Sequence, residues 1–587
     1  IPGFPDGSFP FTATVDKPWL AVNPASGTLT PAGITLNVTA DPATLPNGTF
    51  TGTVTVTVIT PNNASHIGSQ ASRGLSVPVS ISLVTPVTPQ PKTEPLPSSL
   101  IIPSVGHLDG IGSRWQSDIR VANTTTQKVH YALTFTPQGD DASKGVKSTT
   151  IEIDANATTA LDDIVRNWYG VGSLGETANG VLEIRPLDAP NNLITGDATS
   201  SFTVSTVASS RTYNTTATGT LGQYIPAVPF GNFIGKAPAG SNQFAQVLSL
   251  QQVAQSDAYR TNVGVVEGSG KPASVLLSVF STSGAKLLDY PLELRGGEQK
   301  QLNGFLAENG ISLTDGRVEV KVTSGEGRVT AYASVVDNHT NDPLLVSGVP
   351  LAGAAANRYV LPGVADLNNG FASWRTDARI FNPGTSPQAA TLTFYPQNNS
   401  GSPVANAITI NPGEVRTLDN ILQSFFGLTT NGASSNVGGA LHVATTGNSN
   451  LIVTGRTYNS TSNGTFGQYI PAVTEAEAVG ASSRALNILQ VEESPRYRTN
   501  LGLAEVSGKP AHVEITVNLP DSKVSPRIEF QMQPNEFRQF GIINELGLGN
   551  TYNARITVKV LDGDGKVTAY GSVIDRETQD PTYVPAQ

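Results

Sequence analysis

Arg211 and Tyr213 stand two residues apart in RTYNTTATGTLGQYIPAV (Arg211 to Val228), and Arg456 and Tyr458 stand the same way in RTYNSTSNGTFGQYIPAV (Arg456 to Val473). On a strand, residues i and i+2 point to one face. Each pair therefore sets a planar cation beside an aromatic ring, an arrangement that can hold a sugar or a peptide. The alternative is structural: the tyrosine covers the edge of a sandwich, and the arginine stacks on it or pairs with a turn acid. Both copies also keep Gly222/Gly467 and Pro226/Pro471, which are backbone punctuation and favour the covering role. These four side chains are the candidate ligand contacts.

Other chemistry is sparse. Six histidines, at 66, 107, 130, 339, 442 and 512, show no His-x-His or His-x-x-x-His spacing for zinc. There is no Gly-x-Ser-x-Gly elbow, phosphate-cradling glycine loop or dinucleotide fingerprint. Paired carboxylates of a sandwich glycosidase need not lie close in sequence. The acids that recur, Asp118 with Asp377 and Asp337 with Asp575, have arginine neighbours and turn positions that account for them. The chain therefore reads as a non-enzyme with no required cofactor. Calcium is weighed at Asp562–Gly565 (DGDG) and at Asp162 and Asp163, but the first suits a hairpin turn, the second a helix start, and neither has a full ligand set. Trp19, Trp115, Trp168 and Trp374 lie in patterns that suit core positions. Lys271 and Lys509, near Asn262 and Asn500, raise the idea of an isopeptide cross-link, although SGKP reads as a solvated hairpin loop. Asn214 and Asn459 head glycosylation sequons.

The elements that would position these residues come in copies. YRTNVGVVEGSGKPA from Tyr259 returns as YRTNLGLAEVSGKPA from Tyr497, GRVTAYASVVDNHTNDP from Gly327 as GKVTAYGSVIDRETQDP from Gly565, and SRWQSDIRVAN from Ser113 as SWRTDARIFN from Ser373. All anchors keep one order, so 100–350 and 357–587 read as two copies of one unit. A weaker half-repeat divides each copy, giving modules at 100–230, 231–352, 353–476 and 477–587. Alternating Thr/Val/Ile runs such as YALTFTP, HVEITVNL and ARITVKV predict strands with one buried face. Recurring strands with Gly, Pro, Asn and Asp between them predict an all-β fold of tandem immunoglobulin-like β-sandwiches. One short helix interrupts each module. LDDIVRNWYG places Leu161, Ile164, Val165 and Trp168 on one face, with acids in its first turn and Gly170 closing it, and LDNILQSFFG repeats this with Leu418, Ile421, Leu422 and Phe425.

Residues 1–84 belong to neither copy. Trp19 and Leu20, NPASGTL (Asn23 to Leu29), NGTFTGTVTV (Asn47 to Val56) and VPVSISLV (Val77 to Val84) resemble the BACON-type immunoglobulin-like module. The resemblance implies a secreted bacterial setting, with sugar binding or a spacer role. The four later modules resemble tandem β-sandwich repeats of uncharacterised secreted bacterial proteins, a likeness that implies no activity. Residues 85–99 hold five prolines in fifteen positions and read as a stiff polyproline II linker.

Charged residues make up only 14% of the 587, the net charge is −10, and no basic run is present, which argues against nucleic acid as a partner. No apolar run is long enough for a membrane helix. Cysteine is absent. The start at Ile1, with neither initiator nor signal core, reads as a processed mature chain, and with the Thr/Asn-rich surface it favours an extracellular or cell-surface location. The expectation is an extracellular structural protein: a rigid multi-sandwich subunit of a filament, sheath or appendage that self-associates through sheet edges and apolar seams. The alternatives are an adhesin or carbohydrate-binding array, with a glycan as partner, and a sandwich-type hydrolase.

Overall fold

A computed structural model describes residues 8–30, 33–41, 48–60, 71–83, 94–110, 113–141, 147–170, 178–189, 192–193, 206–216, 219–240, 246–368, 370, 372–428, 436–520 and 525–587. The chain is almost entirely β, with antiparallel sheets throughout. It divides into two compact units, Ile1–Val87 with Thr149–Glu152, and the rest. Residues 85–93, most of the proline-rich linker 85–99, lie outside the described residues.

In the smaller unit a four-stranded sheet runs in the spatial order Ser26–Leu29, Phe9–Val15, Gly48–Thr60, Ala71–Leu83, beside a two-stranded pair of Leu20–Asn23 and Asn37–Ala40. Phe9, Phe11 and Ala13 alternate inward from the first strand and meet Val58, with Trp19 and Leu20 also buried. Period-two burial of this kind is what one water-facing and one core-facing side impose.

In the larger unit, four consecutive stretches share one strand order. Between residues 247 and 350, one layer runs Lys286–Leu294, Ala273–Ser281, Leu313–Gly325, Val247–Gln255, Val349–Pro350. The other runs Gln299–Leu302, Tyr259–Glu267, Val329–Asp337, Pro343–Ser347. The order recurs at 486–587, where Asn487 and the terminal Gln587 exchange backbone hydrogen bonds of 2.9 Å in place of the last edge strand. At 100–229 and 356–474 it recurs with one change: the first and second strands also pair at their ends, at Gly110↔Ser113 and Asn368↔Ser373. This joins the two layers into continuous sheets of ten and nine strands. These stretches are called the first to fourth sandwiches, in the chain order 100–229, 247–350, 356–474 and 486–587.

Each sandwich carries one helical turn, at Ile164–Asn167, Phe305–Glu308, Ile421–Ser424 and Ile542–Glu545, and its first two residues are buried. The turns are shorter than the sequence pattern suggests. Leu161 and Leu418 end the preceding strands, and the acids near the first turn precede it: Asp163 has φ 43° and makes no side-chain cap. Leu161, Ile164, Val165 and Trp168 are all buried, as are Leu418, Ile421 and Leu422, so the apolar pattern marks the core even where it spans a strand end and a helix.

The alternation that predicts one buried face holds for outer strands. Ala511–Asn518 alternates buried and half-buried at every position. It fails for Val329–Asp337, in which all nine residues are buried, and nearly fails for Val567–Asp575 and Val247–Gln255. Their second faces carry Thr, Ser, Gln and Asp, and it is against these polar faces that neighbouring sandwiches pack.

Candidate functional site

The repeated motifs converge where sandwiches meet. In the third sandwich Arg456 lies on strand Ile452–Thr461, stacked 4.9 Å from the Tyr458 ring and 4.8 Å from the ring of Tyr259, which opens the second strand of the second sandwich. Its Nη1 donates to the Tyr259 hydroxyl at 2.8 Å and its Nη2 to Thr465 Oγ1 at 2.6 Å. Thr465 in turn donates its backbone N–H (2.9 Å) and hydroxyl (2.7 Å) to Asp337 Oδ2. The other oxygen of Asp337 accepts from the N–H groups of His339 and Thr340, closing the turn that follows strand Val329–Asp337. Asp342, at the end of that turn, accepts from Gly467 N–H at 2.8 Å.

The first and fourth sandwiches repeat this clasp residue for residue. Arg211 stacks 4.9 Å from Tyr213 and 4.7 Å from Tyr497 and donates to Thr220 Oγ1 at 3.0 Å. Thr220 donates to Asp575 Oδ2 at 2.9 and 2.8 Å, and Gly222 N–H donates to Asp580 Oδ2 at 2.8 Å. Arg211 is 8% exposed and Arg456 half-buried, and the terminal nitrogens of both donate within the protein. Burial alone would raise the Asp337 and Asp575 carboxyls, but the hydrogen bonds from Thr340, Thr465 and His339, and from Thr220, Glu577 and Thr578, hold both below the ordinary value.

A pair of glutamines at positive φ reaches across the same seams. Gln252 (φ 57°) donates to Thr454 Oγ1 at 2.8 Å, and Gln490 (φ 61°) donates to the Asp118 carbonyl at 3.1 Å, each from a register shift in its strand. Such backbone is costly for a non-glycine residue and persists where the surroundings fix it. Apolar contacts complete the seams: Leu489 packs on Ala122 and Val207, and Phe381, Val415 and Ile452 pack on Val247 and Leu351. Arg317 is sandwiched between Phe280 and Phe381 at 4.4 and 4.2 Å.

Four corresponding strands, Gly219–Pro226, Pro343–Ser347, Gly464–Pro471 and Pro581–Pro585, line a cavity of about 90 Å³. Two clasp acids, Asp342 and Asp580, lie within hydrogen-bonding reach of each other, fully buried. Each spends Oδ2 on a glycine N–H, and each Oδ1 has no donor apart from the opposing carboxyl. Burial raises both; Asp580 raises Asp342 further by like charge, while Gly222 N–H and Arg211 oppose the rise of Asp580, which is pushed up to about 7. Two facing carboxyls in this setting share one proton and titrate as a pair.

A larger cavity, about 300 Å³, lies between the third and fourth sandwiches. Trp374, Gln397, Arg498, Asn500 and Tyr570 line it, and among its described lining residues there is no carboxylate. Trp374 and Trp115 are half-buried, unlike Trp19 and Trp168, so two of the four tryptophans depart from the core placement read from the sequence.

The remaining sequence candidates have structural partners. Asp162 pairs with Arg120 at 2.7 Å, Asp163 with His107 at 2.9 Å, and Asp562 lies beside a hairpin glycine at φ 93°. Among the described residues no three His, Asp or Glu side chains are placed to hold a metal ion. Lys271 is exposed and pairs with Glu94 at 3.3 Å, while Asn262 Oδ1 accepts from Gly304 N–H. The sequon residues Asn214 and Asn459 accept through Oδ1 from the N–H groups of Arg114 and Ser373 and are buried, 3% and 2% exposed, which closes their side-chain nitrogens to a glycan in the folded chain. No helix among the described residues is long and apolar enough to cross a membrane.

Sequence reasoning found Arg211, Tyr213, Arg456 and Tyr458 but not their partners Tyr259/Tyr497, Thr220/Thr465 and Asp342/Asp580. The signal was present, because all of these stand inside the repeated motifs. What the letters did not carry was that first-sandwich motifs meet fourth-sandwich ones.

No family model and no curated protein matches the chain. Among solved structures, an α2-macroglobulin of E. coli in its native conformation aligns at 11% identity and a TM-score of 0.11, over 98% of this chain and 37% of that one. At that score the likeness carries no argument about fold or function.

Proposed function

We propose that this chain is an extracellular structural protein, non-enzymatic, whose larger unit is a rigid block for a cell-surface filament, sheath or appendage. The observation that carries this reading is the doubled clasp. The residues best equipped for chemistry, Arg211 and Arg456 with their tyrosines and acids, are spent on fixing one sandwich against another. Buried hydrogen-bonded networks that join two parts in this way favour one arrangement of those parts. The resemblance of residues 1–84 to BACON-type modules supports a secreted bacterial setting.

Association through sheet edges has a physical candidate in Val404–Ile410, an outer strand of the third sandwich with the sequence VANAITI. It carries no charge, and Ala405, Asn406, Ala407 and Thr409 are exposed. An uncharged edge with free backbone groups is a template for another strand. Electron microscopy of the purified chain under native conditions tests this: ordered polymers that Ala407→Lys disperses support the reading, and dispersed single particles for the parent chain refute it. A second reading, as an adhesin or carbohydrate-binding array, is favoured by the cavity beside Trp374.

A further inference from the structure

We infer that the cavity between the third and fourth sandwiches binds an acidic saccharide, with the sugar ring against Trp374 and its carboxylate at Arg498. The inference rests on the carbohydrate-binding reading and narrows it to one ligand class. It does not depend on whether the chain polymerises.

The duplication supplies an internal control. In the second sandwich Arg260, the counterpart of Arg498, is held at both terminal nitrogens: Nη1 donates to Asn338 Oδ1 at 2.8 Å and Nη2 to Asn341 Oδ1 at 3.2 Å. In the fourth sandwich the position of Asn338 is taken by Arg576, which turns to the carbonyls of Ser494 and Tyr497 and to Glu493. Arg498 keeps a single hydrogen bond among the described residues, from Nη2 to Gln579 Oε1 at 2.9 Å, with Arg576 and Glu493 acting on its charge in opposite senses. Asn262 and Asn500 diverge in the same way. Gly304 has φ 57° and donates its N–H to Asn262, whereas Gly541 has φ −82° and the Asn500 amide makes no side-chain hydrogen bond among the described residues. Two polar groups that are satisfied in one copy are therefore left open in the other, and both line one cavity.

The rest of the lining completes a sugar site in kind. Trp374 presents an indole that is half-buried, a flat apolar wall for the C–H face of a pyranose ring. Gln397 and Asn368 add amides suited to hydroxyl groups, and the buried Tyr570 forms part of the wall. The volume, about 300 Å³, is at the lower end of small-ligand sites and suits one ring. Among the described lining residues the guanidinium of Arg498 is the one formal charge; behind it Arg576 adds positive charge and Glu493 opposes it, leaving a net positive site that a carboxylate meets by charge-assisted, bidentate bonds. The net charge of −10 opposes nonspecific uptake of the same ligand.

The test is calorimetric titration of the full chain at physiological salt with a uronic-acid tetrasaccharide and, separately, a neutral glucose tetrasaccharide. Saturable uronate binding, at least roughly tenfold tighter than the neutral sugar, is expected, from the usual worth of a hydrogen bond to a charged group. Arg498→Gln removes that advantage without changing the melting temperature by more than a few degrees, and Trp374→Ala weakens whatever binding remains. Equal affinity for the two sugars overturns the acidic-ligand inference while leaving carbohydrate binding standing. Binding of neither sugar overturns both. Uronate binding unchanged in Arg498→Gln overturns the assignment to this cavity.

Discussion

Replacing Asp580 by asparagine removes one of the two facing carboxyls and leaves their geometry intact. The introduced amide can still accept from Gly222 N–H through its oxygen and donate from its nitrogen to Asp342, so it acts as a permanent version of the shared proton. In the parent chain burial raises both carboxyls above the ordinary 3.8: Asp342 well above it, with the Asp580 charge adding to the rise, and Asp580 to about 7, opposed by Gly222 N–H and Arg211. Between those values the folded chain holds a proton that the unfolded chain has released. This pair's contribution to stability is therefore fully present below about pH 3.8 and is lost as pH rises towards 7, by about 1.4 kcal/mol per pH unit for each proton held. The groups facing the pair are Arg211, Arg456 and Asp575, and Asp575, held low by its hydrogen bonds, does not titrate in this window. The measurement is urea unfolding of parent and variant from pH 4.5 to 8.5. The advantage of Asp580→Asn should grow steadily with pH between about 4 and 7, and Asp342→Asn, which removes the more strongly raised carboxyl, should likewise gain on the parent as pH rises. Unfolding midpoints that stay a constant distance apart over the whole range would refute the shared proton.

Arg456→Ala removes the cation that links Tyr259, Tyr458 and Thr465 and leaves their buried polar atoms unmatched. It should cost about 3–5 kcal/mol by thermal or urea unfolding, and Arg456→Lys should recover less than half, because an ammonium cannot stack and bridge as the planar fork does. His442 is buried on Tyr395 with both ring nitrogens unpartnered, and burial and then Arg358 lower it to about 3. A depressed histidine stays neutral when folded and protonates when unfolded. The parent chain should therefore lose about 1.4 kcal/mol per pH unit below 6.5 from this residue, a loss that His442→Phe removes in acid unfolding curves.

The division of labour between sequence and tertiary structure follows from what repeats encode. Alternating Val, Thr and Ile in stretches such as HVEITVNL determined the strands, and the duplicated motifs determined that one strand order is used again, because burial of one face against water leaves a period of two in the letters. Leu161, Ile164 and Val165 were legible as core, although the helix they suggested shrank to one turn. Residues 1–84 fall outside both copies of the repeat, and the structure places residues 1–87 in a compact unit of their own together with 149–152. Only the tertiary structure decided which motif meets which. Arg211 finds Tyr497 nearly half a chain away, and the polar outer faces of Val329–Asp337 and Val567–Asp575 become buried, because a second sandwich covers them and must match their Thr, Ser and Asp groups bond for bond. Docking of this kind depends on complementary surfaces between copies, which no local pattern records. For the same reason Arg260 and Arg498, within the same YRTN letters, differ: one is closed by its neighbours and the other is left open to a cavity.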